Sequence, residues 1–430
     1  MGRKITLALD LGSYELKGIV FEIVEFKNSI HVLAAKKERS LGLENGSIKN
    51  PEALKKQIAN VVDPLISEVG DYIDEVYLSI PPVNTFCNNI VKSMNVADSK
   101  GSSLITNNDV SQLTEKIIED IKRGTSEHES TLIDFIINEY RVYPTSNKVH
   151  SEIVDNPVSL AAFSFSMEMF YVLAKTYILT TLQSIFEELE ILFDRCTVPY
   201  IPGALKAVPY TARKNGALYL DFGASFTDCV IFKNNSIVHY FSLPFGGYHV
   251  TSDIIKAFGK SVDDKNFEKA EKIKKKYGNL IIDAEDSQKN VYIEQDLLSD
   301  NFLTLEQLKL VMQERVREIF TLVKDEIDKN HSLSARGITF SQVVLAGGSA
   351  KLEGVGDIAG EVFGVPSLVA TPFIDSGIDF EEINTPEFVP VYGLAEYFAG
   401  DIRKPVLSSG FLNRLVGKIK TIFFKKKGGE

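Results

Sequence analysis

Asp10-Leu11-Gly12-Ser13-Tyr14, with Lys17 and Gly18 close behind, ends the strand-like apolar run Ile5–Leu9. An aspartate at the end of a buried strand can hold a divalent cation through its water shell. A glycine two residues on lets backbone N–H groups approach an anion, and a serine adds a hydroxyl donor. Alone, such a tetrapeptide is as a rule a plain hairpin turn. The same chemistry returns at Asp221-Phe222-Gly223-Ala224-Ser225, with Thr227 and Asp228, 211 residues after Asp10. Turn usage explains such a repeat poorly. Two facing copies predict a clamp on a polyphosphate, with Mg²⁺ held through water by Asp10 and Asp221.

Two further glycine pairs suit the same ligand. Val343–Ala346 reads as a buried strand, and Gly347-Gly348-Ser349 then lets the backbone lie flat against a nucleoside, where a side chain would collide. A tight strand-to-helix turn fits those residues too. Phe245-Gly246-Gly247 opens a helix, a place where backbone N–H groups attract an anion. A helix entry capped by Thr251 or Ser252 is compatible with this.

The positioning elements follow from periodicity. ITLALDLG, KGIVFEIVEF and IHVLAAKKERS read as a strand meander, Pro51–Glu68 as a helix and Val76–Ile80 as a strand. The stretch 84–165 breaks this rhythm with a polar helix at Asn108–Arg123 and several strands, an inserted α+β module. A helix at Lys175–Leu189 and the turn VPYIPGAL lead to ALYLDFGASFTDCVIFKNNSIVHYFSLPFGG, where the opening pattern returns. Charged helices at Lys265–Tyr277 and Leu305–Asn330 follow, then QVVLAGG and VYGLAEYFAG.

With 430 residues, two or more domains are expected. No apolar core or cleavage site marks a signal sequence, and no window reaches the roughly 18 apolar residues of a membrane span. Three dispersed cysteines and six unclustered histidines suggest reduced thiols and no Cys/His metal site. The net charge of −11 is uneven: residues 411–430 hold six Lys/Arg against one acid. The remaining 410 residues hold 41 basic against 57 acidic groups, which argues against nucleic acid as a partner. On a helix from Phe411, the residues Leu412, Leu415, Val416, Ile419, Ile422 and Phe423 recur at helical spacing. Arg414, Lys418 and Lys420 lie off that stripe and Lys425–Lys427 follow it, the pattern of an interfacial membrane helix. A helix docked on the acidic body is the alternative.

The four motifs in this order resemble the actin-like ATPase superfamily, with VPYIPGALKA and VPVYGLAEYF in the places of its two connecting helices. Within it, SLGLENGSI, NEYRV, DNPVSL, LPFGGYHVTSDIIKAFG, AEKIKKKYG and VVLAGGSAKLEGV resemble the bacterial cell-division family FtsA. The resemblance implies an α/β, two-domain actin-like fold, each half a mixed sheet flanked by helices, with ATP in the interdomain cleft. The first domain would comprise 1–83 and 166–212, the inserted interaction subdomain 84–165, the second domain 213–404, and a linker with the membrane helix 405–430. It implies phosphate contacts from Asp10, Gly12, Ser13, Tyr14, Lys17, Asp221, Gly223, Ala224, Ser225, Thr227, Gly246 and Gly247. Adenosine contacts would come from Glu271, Lys274, Gly347, Gly348, Ser349 and Lys351, although a solvated charged face also suits Glu271 and Lys274.

The resemblance further implies self-association, other division proteins at the insertion, and the FtsZ C-terminal peptide in a helical subdomain at about 250–335. Arg315 and Glu318 fall on the family's positions for that peptide. The protein would then be peripheral on the cytoplasmic face of the cell membrane at the division site. The family's second hairpin commonly reads D-x-G-G-G-T, so Ala224 and Ser225 add side chains beside the phosphate. VPYIPGAL supplies no carboxylate or glutamine to assist hydrolysis, help worth about 10²–10⁴-fold. ATP is therefore expected to act mainly as an assembly ligand. Two alternatives are another actin-like scaffold such as the pilus-assembly protein PilM, and a small-molecule kinase using Asp155 or Asp194.

Overall fold

The computed structural model describes residues 4–24, 29–97, 101–125, 129–293, 302–331, 333, 337–372 and 381–400. The first half begins with strands β1 (Ile5–Leu11), β2 (Glu15–Val24) and β3 (Ser29–Arg39), helix α1 (Pro51–Val69) and strand β4 (Glu75–Ser79). The insertion brings β5 (Thr85–Asn95), α2 (Asn107–Gly124), β6 (Ser130–Tyr143), β7 (Glu152–Val154) and β8 (Ser164–Lys175). Helix α3 (Thr176–Glu188), β9 (Arg195–Thr197) and helix α4 (Tyr200–Ala207) complete the first half. The second half holds β10 (Ala217–Phe222), β11 (Thr227–Lys233), β12 (Ser236–Leu243), α5 (Gly247–Ala257), α6 (Asp264–Lys276) and α7 (Leu305–Lys329). It ends with β13 (Gln342–Ala346), α8 (Val355–Phe363), β14 (Ser367–Val369) and α9 (Val389–Ala399).

The halves share one topology. The first sheet has the order β9-β4-β1-β2-β3, the second β14-β13-β10-β11-β12. In each, an antiparallel three-strand meander is extended by two parallel strands beyond its first strand. β1 and β10 lie near the middle of their sheets and are buried along their whole length, as their unbroken apolar runs require. The sequence repeat is thus a structural repeat.

Helix α1 shows how local chemistry sets an element. The Asn50 side chain accepts from the Ala53 N–H at 3.0 Å, Pro51 opens the helix, and Gly70 closes it in the left-handed region. Its stripe of Leu54, Ile58, Val61, Val62 and Leu65 is buried on the sheet. The approach is close enough that a Cβ at Gly18 would meet the Leu65 and Val61 side chains at 2.8 and 2.9 Å.

Helices α4 and α9 cross between the two sheets, in a core that includes Leu7, Leu9, Tyr219 and Val344. A Cβ on Gly393 would lie 2.5 Å from the Pro202 carbonyl oxygen, so the crossing is backbone against backbone. The far face of the second sheet packs on α5, α7 and α8 through Val250, Ile254, Leu308, Met312, Phe320 and Ile358. The inserted sheet, ordered β7-β6-β8-β5, has its own core beneath α2 (Val110, Leu113, Ile117, Phe135, Met167). Its Ile133, Phe170, Val172 and Ala174 join the core of the first half. The terminal basic helix expected from Phe411 lies outside the described residues.

Candidate functional site

The two hairpin carboxylates face one cavity of about 400 Å³ between the halves, within the usual size range of small-molecule sites. Asp10 is buried at the end of β1, where the Ser79 Oγ donates to its Oδ1 at 2.5 Å and the Lys17 Nζ lies 3.5 Å from its Oδ2. Asp221 is equally buried at the end of β10, yet among the described residues its carboxylate has no hydrogen-bond donor. Burial first, then the charges of Asp228 and Asp10, push its pKa up to about 8, against the pull of Lys17. Three carboxylates with a single lysine make a strongly cation-attracting floor. Among the described residues no three or more His, Cys, Asp or Glu groups are close enough to enclose a metal directly. That donor set suits a hydrated Mg²⁺ shared by Asp10 and Asp221.

The second hairpin is fastened from behind. The N–H groups of Gly247 and Tyr248 donate to the carbonyls of Gly223 and Ala224 at 2.9 Å each. The Ser349 Oγ donates to the Gly223 carbonyl at 2.9 Å. The first N–H groups of α5, expected to meet an anion, therefore hold the hairpin, and Gly246 is absent from the cavity wall while Gly247 is present. Thr227 also stands off the wall, its Oγ1 donating to the Phe245 carbonyl at 2.7 Å. The Ser225 hydroxyl is buried without a partner in the wall. The other expected phosphate residues, Gly12, Ser13, Tyr14, Lys17, Gly223 and Ala224, all line the cavity.

The expected adenosine residues also gather there. Glu271, Lys274, Gly347, Gly348, Ser349 and Lys351 line the wall. Glu271 and Lys274 are buried, paired at 2.7 Å, and packed against α5, so they do not form a solvated face. The Lys274 Nζ donates to the Gly247 carbonyl at 3.0 Å and to the Thr251 Oγ1 at 2.8 Å. Burial lowers the Lys274 pKa, and the Glu271 charge opposes that. Gly347 adopts a φ of 88°, a conformation that favours glycine, as the chain turns from β13.

Several wall residues carried no recognisable sequence signal. Glu387, just before α9, is buried, and its Oε1 accepts from Lys37 of β3 at 2.9 Å and from Lys351 at 3.0 Å. Burial alone would raise the Glu387 pKa, but these two lysines hold it below the usual carboxylate range. One carboxylate thereby bridges the halves. At the mouth, the Tyr14 hydroxyl accepts from the Lys275 Nζ at 2.9 Å, while the Tyr248 hydroxyl donates to the Ser13 carbonyl at 3.3 Å. Asp228 also lines the cavity; burial pushes its pKa up to about 6, against a hydrogen bond from Tyr240. The hairpin motif contained Asp228, but nothing distinguished it from an ordinary strand residue.

The kinase candidates Asp155 and Asp194 are not in the wall, and the Asp194 Oδ2 accepts from the Val76 N–H at 3.0 Å. Arg315 and Glu318 sit in a separate surface groove between α5 and α7, beside Asp253, Lys256, Ala257, Val311 and Glu314. There the Arg315 guanidinium pairs with Asp253 and, at 2.6 Å, with Glu318.

Twin sheets of this topology, with crossed helices between them and one acid from each facing the cleft, define an actin-like fold. Solved structures share it. The PilM-PilN type IV pilus biogenesis complex is 16% identical, with a TM-score of 0.62 over 92% of this chain and 98% of its own. MreB5 of Spiroplasma citri bound to ADP is 14% identical, with a TM-score of 0.51 over 94% and 99%. Residues 218–393 of this chain match the family model described as Cell division protein FtsA. Over most of its length it is similar to the Cell division protein FtsA of Buchnera aphidicola subsp. Acyrthosiphon pisum (strain APS), 24% identical over 402 residues, 92% of this chain and 91% of that protein. It is also similar to that of Escherichia coli (strain K12), 21% identical over 400 residues, 92% and 90% of the two chains.

Proposed function

We propose that this chain is an ATP-binding, actin-like cell-division protein that assembles at the membrane and tethers the FtsZ ring there. The observation that carries the reading is the pair Asp10 and Asp221, at equivalent strand ends in duplicated sheets, facing one cavity. The likeness to FtsA proteins supports the division role. The ligand's phosphates would lie between the two hairpins, against Gly12, Ser13, Lys17 and Gly223, with Mg²⁺ reached through water from both acids. The nucleoside would lie against Gly347-Gly348, Glu271 and Lys274. In this reading 1–83 and 166–212 form one actin-like domain, 213–404 the other, and 84–165 an interaction subdomain for self-assembly and later division proteins.

Arg315 and Glu318 would meet the acidic C-terminal peptide of FtsZ, and the helix from Phe411 would lie in the cytoplasmic leaflet. Among the described residues no helix is long and apolar enough to cross a membrane, which is compatible with a peripheral tether. Hydrolysis would be slow, below about 1 s⁻¹, the low end of ordinary enzymes.

The test is electron microscopy of the full chain with ATP·Mg²⁺ on an anionic lipid monolayer, alongside binding of a fluorescent ATP analogue. Membrane-bound filaments that need ATP, lost in Asp221→Asn together with analogue binding, are the expected result. Analogue binding without lipid attachment would favour a scaffold of the PilM kind, and phosphate transfer to a small acceptor would favour a kinase.

A further inference from the structure

The cleft and the inserted sheet are joined by a continuous chain of contacts whose members come from four elements. Asp228 of β11 lines the cavity and accepts from the Tyr240 hydroxyl at 3.0 Å. The Tyr240 ring, on β12, stacks on that of Tyr200, with centroids 3.8 Å apart and planes 9° from parallel. Tyr200 is fully buried at the start of α4, the first of the crossed helices. Its hydroxyl lies 2.8 Å from the Sγ of Cys87, on strand β5 of the inserted sheet. A second set of bonds ties the same two parts. The Asn138 Nδ2 of β6 donates to the Ile237 carbonyl at 2.9 Å, and the Ile237 N–H donates back to the Asn138 Oδ1 at 3.1 Å. The Asn89 Nδ2 of β5 donates to the same carbonyl at 3.1 Å.

We infer that Tyr240 and Tyr200 are positioning residues that couple the occupancy of the cleft to the inserted sheet, with Cys87 at the receiving end. The inference rests on the nucleotide reading above. A polyphosphate with its cation brings charge onto the Asp10–Asp221–Asp228 floor. Asp228 can answer only through the groups that hold it, and Tyr240 is one of them. A shift of the Tyr240 ring must carry Tyr200 with it, because a face-to-face stack at 3.8 Å leaves no gap to absorb the motion. Tyr200 in turn ends on the Cys87 thiol. The insertion cannot drift independently, since Asn89 and Asn138 fasten it to the strand that carries Tyr240. The path thus gives the insertion, proposed above as the assembly module, a direct reading of the cleft.

The thiol supplies its own probe. Cys196 and Cys229 are buried, and burial pushes the Cys87 thiol up to about 12, so slow maleimide labelling of the folded full chain, read by peptide mass mapping, follows local opening around the half-buried Cys87. Saturating ATP·Mg²⁺ bridges the halves and holds α4 against β12, so it should slow Cys87 labelling about fivefold or more, the usual size of a coupling between sites. Tyr240→Phe keeps the stacked ring and loses the hydroxyl that meets Asp228 and Tyr200. It should bind the fluorescent ATP analogue, remain folded, and label at one rate with or without nucleotide. Tyr200→Phe should lose the response in the same way.

A wild-type protein that binds the analogue but labels at an unchanged rate overturns the coupling and leaves the nucleotide reading intact. So does a Tyr240→Phe chain that keeps the full response. Absence of analogue binding in the wild type would instead sink the nucleotide reading on which the coupling rests.

Discussion

Asp221 faces Asp228 across the second hairpin at the register position where, in the first hairpin, Asp10 faces Lys17. The duplication has therefore kept the cavity-facing acid in both halves while reversing the charge of its cross-strand neighbour. One half offers an acid already paired with a cation, and the other an acid crowded by a second acid. The second is the one whose crowding any incoming cation would relieve most.

That asymmetry fixes a pH dependence. Burial, then the charges of Asp228 and Asp10, push the Asp221 carboxyl up to about 8, above the ordinary aspartate value of 3.8. The folded state therefore holds a proton that the unfolded state has released, and this contribution to stability is present at low pH and lost as pH rises through about 8. The ligand-free chain should unfold more easily at pH 8.5 than at pH 6.5. Mg²⁺·nucleotide binding should strengthen over the same interval and release protons. Calorimetry in buffers of differing ionisation heat measures that release; proton uptake on binding would contradict the assignment.

Glu387 ties β3 to the loop after β13 through Lys37 and Lys351, both of which can reach water. Replacing it by Gln removes the shared anion without leaving a lysine buried, so the expected cost is about 1–2 kcal/mol in urea unfolding. Nucleotide release should also quicken, as one link between the halves goes. Unchanged stability and unchanged release would show that the bridge contributes nothing.

The crossing of α4 and α9 depends on Gly393, whose absent Cβ leaves room for the Pro202 carbonyl. Gly393→Ala must push the helices apart, at about 1–3 kcal/mol, and should shift the melting temperature downward. Gly70→Ala, at an open helix end, supplies a contrast: its φ of 65° strains the backbone, but no neighbour lies within 4 Å. Comparable losses in stability for the two variants would argue against the close crossing as the cause.

Arg315 already spends its guanidinium on Asp253 and Glu318, so an acidic peptide must compete for it. Arg315→Glu should place a charge beside Asp253 and abolish binding of an FtsZ C-terminal peptide in fluorescence anisotropy, with nucleotide binding unchanged. Retained peptide binding would remove Arg315 from that surface.

Deleting residues 408–430 should abolish co-sedimentation with anionic liposomes, since each basic residue near such a surface contributes about 1 kcal/mol. Persistent co-sedimentation would refute the terminal anchor.

The sequence by itself determined the repeated strand–acid–glycine hairpins, the helix limits and the inserted module, because each is written in local periodicity and turn chemistry. Helix α1 was legible from Pro51 and its apolar stripe, and the twin sheets from two matching meanders. Tertiary structure decided how the site residues are used. Gly246 and Gly247 looked like anion binders, yet only the fold brings the Gly223 and Ala224 carbonyls onto the N–H groups at the start of that helix. Glu271 and Lys274 are spaced like a surface pair but are buried, because α5 packs over them. Glu387, Lys37 and Tyr240 carry no motif at all. Their roles come from groups up to 350 residues away in sequence, and a contact of that range leaves no mark on local spacing.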